Sequence, residues 1–221
     1  MIKQFFAQIL NLKESSFLVA LLIGHIVFAG VLGLRSFGFL EKLELTAYDL
    51  FLWSQAMREP IDPKIILILA NDEDQRQWGW PLKDDYLAEL FEIVLACEPN
   101  AIGLDLYRDL PVPSADTEGY KHLTELFETH SNIIGIKKFD NNGVSVNAPP
   151  ALAKEGQIGF NDITTDASGI VRRGLLYMAD EEGNVLKFFG LKLALLYLAQ
   201  EGIKIELVPN NPRAIRLGRI L

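Results

Sequence analysis

Uncharged residues run without interruption from Phe17 to Leu34, FLVALLIGHIVFAGVLGL, and after Arg35 the chain changes to apolar and polar stretches of ordinary length. As a helix the run measures about 27 Å, close to the hydrocarbon thickness of a bilayer, so the pattern predicts a transmembrane helix over 17–35. A secretory signal has a shorter apolar core and a small-x-small cleavage site, and no Ala-x-Ala follows here. A cleaved signal and a buried core helix remain the two alternatives. Before the run, Ile2, Phe5, Phe6, Ile9 and Leu10 share one helical face, which predicts a short amphipathic stub over 1–16 lying on the membrane surface. His25 sits inside the run, either as a packed polar residue at a dimer seam or near the interface, or as a functional group.

Beyond the run the periodicity alternates between helix and strand. Leu40, Leu43, Leu45, Tyr48, Leu52 and Trp53 predict a helix over Phe37–Trp53. Lys64–Ala70 (KIILILA) and Ala101–Tyr107 (AIGLDLY) read as buried strands, Asn132–Phe139 as a third. Helices are predicted between them over Tyr86–Cys97, with Asp84 or Asp85 near its N-terminus, and over Tyr120–Thr129. Strand–helix alternation of this kind predicts an α/β fold: an N-terminal transmembrane helix, then a mainly parallel βαβαβ sheet. After the turn Asp140–Gly143, two strands over Gln157–Ile163 and Ile170–Met178 predict a β-hairpin around Asp166–Gly169. Phe188–Gln200 is apolar nearly all round and too short to span, so it predicts a core helix; Ile205–Val208 and Ala214–Leu217 predict two last strands.

Composition narrows the function. The 221 residues suit one domain, 36–221, on an anchor. A net charge of -8 with no basic block excludes a nucleic-acid partner, because phosphate contacts need clustered positive charge. The one cysteine, Cys97, cannot form an internal disulfide. Lys3 and Lys13 before the run balance Arg35 and Lys42 after it, so charge alone leaves the orientation open.

The candidate chemistry lies where the predicted strands end. Asn71-Asp72-Glu73-Asp74 follows the first strand and Asp105 ends the second, and the carboxyl ends of parallel strands form the usual ligand crevice. These carboxylates could bind Mg²⁺ or move protons. The plainer alternative is that they cap helices or pair with Arg108, Arg172 or Arg173. Asp72-Glu73-Asp74 resembles the Asp-x-Asp of haloacid-dehalogenase-like phosphatases, but no Thr follows the pair and no later strand ends in Ser or Thr. Dinucleotide, phosphate-loop, nucleophile-elbow and zinc spacings do not occur, and no cofactor is implied. Trp78-Gly79-Trp80-Pro81 either lines a cleft or packs as an aromatic turn.

Taken in order, several of these pieces resemble the CHASE domain of the second type, an extracytoplasmic sensory domain of bacterial cyclases, histidine kinases and other signalling proteins. The matching residues are Leu43-Glu44 with Tyr48-Asp49-Leu50, Ile65 to Glu73, Gly79-Trp80-Pro81-Leu82 and Ile102-Gly103-Leu104-Asp105. Gly159-Phe160-Asn161 followed by Asp166, Gly169, Val171, Arg172 and Arg173 matches most strongly. Ser168 stands where the family usually has Asp or Asn. The resemblance covers about Glu41 to Leu217. It implies a cytoplasmic stub, one span of the cell membrane and an extracytoplasmic, non-catalytic sensory domain. It also implies a domain incomplete at Leu221, since the family continues with further strands, membrane helices and an output domain.

The expectation is therefore a membrane-anchored receptor module for a small-molecule or environmental signal, as a homodimer or within a larger receptor. Asp72, Asp105, Arg172 and Arg173 are the candidate ligand-binding residues; Glu44, Asp49, Trp80, Pro81, Asp166 and Gly169 are the candidate structural ones. The alternatives are a membrane-tethered Mg²⁺-dependent phosphohydrolase using Asp72 and Asp74, and a structural subunit of a larger receptor.

Overall fold

The computed structural model describes residues 16–56, 63–139, 145–180, 183–208 and 215–218. The chain divides into two compact units, Met1–Ile68 and Leu69–Leu221. In the first, the uncharged run forms α1 (Ser16–Ser36), with Arg35 in its last turn, where a cation is favourable to the helix carbonyls. Its large apolar side chains are exposed from Leu18 to Leu34. Among the described helices it is the one long and apolar enough to cross a membrane. The next predicted helix starts later than expected. Residues 37–40 form a turn with Gly38 at φ +79°, and α2 (Glu41–Ala56) follows. Arg35 Nε meets Glu44 Oε1 at 2.9 Å across that turn. The amphipathic stub falls almost wholly outside the described residues.

Lys64–Ala70 is not a strand. Residues 65–70 have no ladder partner among the described residues, and Ile65 to Leu69 are exposed, Ile66 at 82 %. A strand exists only through its neighbour's hydrogen bonds, and a continuous apolar run signals burial without specifying a partner.

The second unit holds, in order, α3 (Asp72–Trp78), α4 (Asp84–Leu95), β1 (Ile102–Gly103), α5 (Glu118–Thr129), β2 (Ile133–Lys137), α6 (Pro150–Lys154) and β3 (Ile158–Phe160). Then come β4 (Tyr177–Ala179), β5 (Val185–Lys187), α7 (Phe189–Gln200), β6 (Ile205–Leu207) and β7 (Ile215–Leu217). The first three strands form a parallel sheet in the order β1-β2-β3, with Ile102 opposite Ile133 and Gly135 opposite Ile158. Four successive residues of β2, Ile133 to Ile136, are buried, as a parallel strand covered on both faces requires. Leu87, Ala88 and Phe91 of α4 share one core with Leu123, Leu126 and Phe127 of α5, the Phe91 and Phe127 rings meeting edge-on at 5.4 Å. Each large side chain there contributes about 1.5–3 kcal/mol by leaving water. The expected core helix is present as α7, which packs on β1, β2 and β3.

Other expectations shift for identifiable reasons. Asp84 does not cap α4: Lys83 is the N-cap without a side-chain bond, and Asp84 is a first-turn residue turned fully inward. α5 starts earlier than expected because Thr117 Oγ1 accepts from Tyr120 N at 3.2 Å. The second predicted strand shortens to Ile102–Gly103, although Leu104 N still donates to Ile134 O at 2.8 Å. The hairpin between Gln157–Ile163 and Ile170–Met178 shrinks to one bridge, Thr164 to Arg173. Ile158–Phe160 pairs with β2 instead, and Tyr177–Ala179 pairs antiparallel with β5. Phe160 is completely buried, which a parallel sheet under a helix supplies and an isolated two-stranded hairpin does not. The turn itself forms, with Gly169 at φ +78° and its N donating to Asp166 O at 2.9 Å. The last two strands pair antiparallel, Ile205 opposite Leu217. The turn Asp140–Gly143 lies outside the described residues.

Candidate ligand crevice at the carboxyl end of the sheet

Two chain segments converge beyond the end of β1. The first follows α3, which stops at Gly79 (φ +84°, a conformation that favours glycine), and continues as Trp80–Pro81–Leu82. The second leaves β1 through buried Leu104 and runs over Asp105, Leu106, Tyr107 and Arg108. Together Trp80–Leu82 and Asp105–Arg108 line a crevice of about 290 Å³.

Its floor is a buried ion pair. Asp84 is wholly buried and Arg108 is 6 % exposed. Arg108 Nη1 faces Asp84 Oδ1 at 3.6 Å, and Nη2 donates to Leu82 O at 2.6 Å. Asp84 Oδ2 accepts from Val112 N at 2.6 Å, while Asp84 N donates to Val112 O at 2.8 Å. Asp84 Oδ1 and Arg108 Nε make no hydrogen bond. Burial pushes the Arg108 guanidinium below its usual pKa, and the Asp84 charge works against that shift. This pair binds the segment before α4 to the loop after β1, and it cancels its own charge.

The rim is exposed. Trp80 is 55 % and Tyr107 43 % accessible, and Asp105 is exposed. Tyr107 Oη donates to Asn161 Oδ1 at 3.0 Å, and Asn161 Nδ2 reaches Asp105 Oδ1 at 3.4 Å. Asn161 follows β3 directly, so the end of β3 is linked to the loop after β1. Behind it Phe139 N donates to the buried Asp162 Oδ2 at 3.0 Å.

Of the four residues expected to bind ligand, the structure places Asp105 in this crevice, and Trp80 and Pro81 line it with Asp105. Asp72, Arg172 and Arg173 do not line it. Asp72, Glu73 and Asp74 form the first turn of α3. There Asn71 Oδ1 accepts from Glu73 N and Asp74 N, and Asp74 Oδ2 accepts from Asn71 N at 2.9 Å, a complete capping box. Among the described residues no group of three or more His, Cys, Asp or Glu side chains is placed to hold a metal ion. Arg172 Nη1 donates to Asp166 Oδ2 and to Ser168 Oγ, the latter at 2.9 Å, inside the Asp166–Gly169 turn. Asp166 also accepts from Ser168 Oγ at 2.5 Å and Ser168 N at 2.9 Å. The Ser168 hydroxyl first, then the neighbouring amides and Arg172, hold the Asp166 pKa at about 2. Arg173 is exposed and bridges to Thr164 through the backbone. Glu44 and Asp49 lie on α2, in the first unit.

Sequence reasoning missed Asp84 and Tyr107 as parts of the site and named Arg108 only as a generic partner. Asn161 was visible inside the Gly159-Phe160-Asn161 motif, without its role at the rim. The family model for the CHASE2 domain matches residues 26–220. No curated protein and no solved structure matches the chain.

Proposed function

The chain belongs to the CHASE2 family of extracytoplasmic sensory domains of signalling proteins, and from that premise we propose that it is a membrane-anchored, non-catalytic receptor module held in the cell membrane by α1. The carrying observation is α1 itself: a helix without charge before Arg35, whose large apolar side chains are exposed from Leu18 to Leu34, in a chain whose second unit has its own buried core. In this reading the stub is cytoplasmic and the second unit is extracytoplasmic. A small solute entering the crevice at the carboxyl end of the sheet shifts the populations of the receptor, and the anchor carries that shift inward.

Cys97, the one cysteine of the chain, is exposed on the second unit and makes the test direct. In spheroplasts of a bacterial host expressing the full chain, a membrane-impermeant maleimide labels Cys97 without permeabilisation, and Cys97→Ser abolishes the label. Labelling that requires permeabilisation refutes the extracytoplasmic placement.

A further inference from the structure

We propose that α1 pairs with α1 of a second copy of this chain, in parallel and in register, along a seam centred on His25. The proposal goes beyond the sensory reading and rests on its placement of α1 in the bilayer. Spacing carries the first step. Leu18, Leu21, His25, Phe28 and Leu32 follow one another at alternating intervals of three and four. That is the spacing at which one helix lays a seam along another. The four apolar members are all exposed, Phe28 at 63 %. His25 lies at the middle of the uncharged run and at the middle of this seam.

His25 decides what covers the seam. Its Nδ1 lies 2.8 Å from Leu21 O. A carbonyl only accepts, so Nδ1 carries the proton and Nε2 is left as an acceptor. Nε2 has no partner among the described residues. In hydrocarbon no water supplies one, and a polar side chain at that depth turns toward another helix. A second copy meets the need by symmetry. In a parallel pair the central seam residues of the two copies face each other across the two-fold axis. Neutral imidazole holds one donor and one acceptor. When the proton of one ring leaves Nδ1 for Nε2, that ring donates to Nε2 of the other copy and gives up its bond to Leu21 O. Neither ring carries a charge in the bilayer. Space for the contact exists. A Cβ at Gly24 would meet nothing within 4 Å, and Leu21, Gly24, His25 and Phe28 line an open notch on the helix surface. Ala29, Gly30 and Gly33 form a competing face of small residues, which has no polar side chain to satisfy.

Two measurements on the full chain test this. The first is disulfide cross-linking in membranes of expressing bacterial cells, in a Cys97→Ser background. Leu21→Cys and Phe28→Cys should each give linked dimers on oxidation. Ile26→Cys, one turn before Ala29 and Gly30 on the competing face, should not. The second is energy transfer between copies labelled at Cys97 with donor and acceptor dyes, in phosphatidylcholine vesicles, followed as lipid is added. His25→Leu should weaken the dimer about threefold to fifteenfold, the range of one interhelical hydrogen bond in lipid. His25→Asn keeps a donor and an acceptor at that position and should dimerise more tightly than His25→Leu. Cross-linking through Ile26→Cys in place of the two seam positions overturns the proposal. So does a parent chain that shows no energy transfer, or a His25→Leu variant that dimerises as tightly as the parent. Both His25 variants leave the run uncharged, and the maleimide label on Cys97 checks that they insert. That label reads membrane placement without regard to pairing, so a failure there is distinct from a failure here.

Discussion

Removing the Asp84 carboxylate is the most direct challenge to the site's construction. In Asp84→Ala, Arg108 stays 6 % exposed with its charge uncompensated, and Val112 N loses its 2.6 Å acceptor. Breaking a buried pair from one side costs about 3–5 kcal/mol, a figure that already contains most of the price of stranding the surviving partner. An orphaned buried amide alone costs about 1–3 kcal/mol. For a domain of this size each kcal/mol lowers Tm by about 2–4 °C, so the variant should melt about 6–20 °C below the parent. Tryptophan fluorescence of the full chain in nanodiscs is the assay, since Trp78 and Trp80 lie just before Asp84 in sequence.

Two companions separate charge from packing. Asp84→Asn keeps an oxygen for Val112 N and loses only the charge, so it should fall between parent and Asp84→Ala. The double variant Asp84→Leu with Arg108→Met removes both charges, and apolar replacement of a buried pair is often neutral or stabilising. It should therefore be more stable than Asp84→Ala despite carrying one more substitution, with the unpaired Val112 amide as its residual cost. A shift of less than about 2 °C in Asp84→Ala, or a double variant worse than the single, would refute the claim that this pair holds the floor.

Gly159→Ala should cost about 1–3 kcal/mol, toward the upper end, because its Cβ would lie 2.6 Å from Phe189 Cα and 3.0 Å from Phe189 N, backbone atoms that cannot swing aside. Gly103→Ala meets the Phe189 ring at 2.6 Å and a Leu193 methyl at 2.7 Å, side-chain ends that can turn, so equal losses in the two melts would contradict the backbone argument. Asp166, held at about 2 against an ordinary 3.8, binds its proton in the unfolded chain first; its contribution is complete above the higher value and disappears as pH falls through the lower. Asp166→Asn should flatten that stretch of the Tm-against-pH curve, and an unchanged acid limb would count against the turn network.

Local chemistry made α1, α4, β2 and α7 readable, because each carries its own period or length over enough residues to dominate. The Asp166–Gly169 turn was readable for the same reason: Asp and Gly at fixed offsets dictate it. Asp84 shows the limit. An acid in the first turn of a helix signals capping, and only the buried guanidinium of Arg108, 24 residues later, turns that acid inward. Gln157–Phe160 shows a second limit. A short apolar strand fits a hairpin or a parallel sheet equally well, and what decides is Phe160, buried at 0 % where both faces must be covered. Ile65–Ala70 shows a third, since hydrophobicity states a need for cover without naming the cover. At the site, Asp105 and Trp80–Pro81 were visible as residues, but their convergence required Leu82 O and Val112 to be tied through Arg108 and Asp84.

That division between floor and rim is what a sensor needs. The floor is fixed by a buried pair and two backbone clasps, so the loops after α3 and after β1 keep their spacing when the crevice is empty. The rim is exposed and lightly bonded, its contact between Asn161 and Asp105 stretched to 3.4 Å. A ligand touching Trp80 and Asp105 together adds a link that the empty protein lacks, and only such differential contact can shift an equilibrium. Trp80 is also well placed along the chain. Counting back through α3, it is the crevice residue nearest in sequence to the run 65–70, to α2 and so to α1. A ligand that holds Trp80 therefore acts on the covalent path that leads to α1, whereas one that held only the loop after β1 would not.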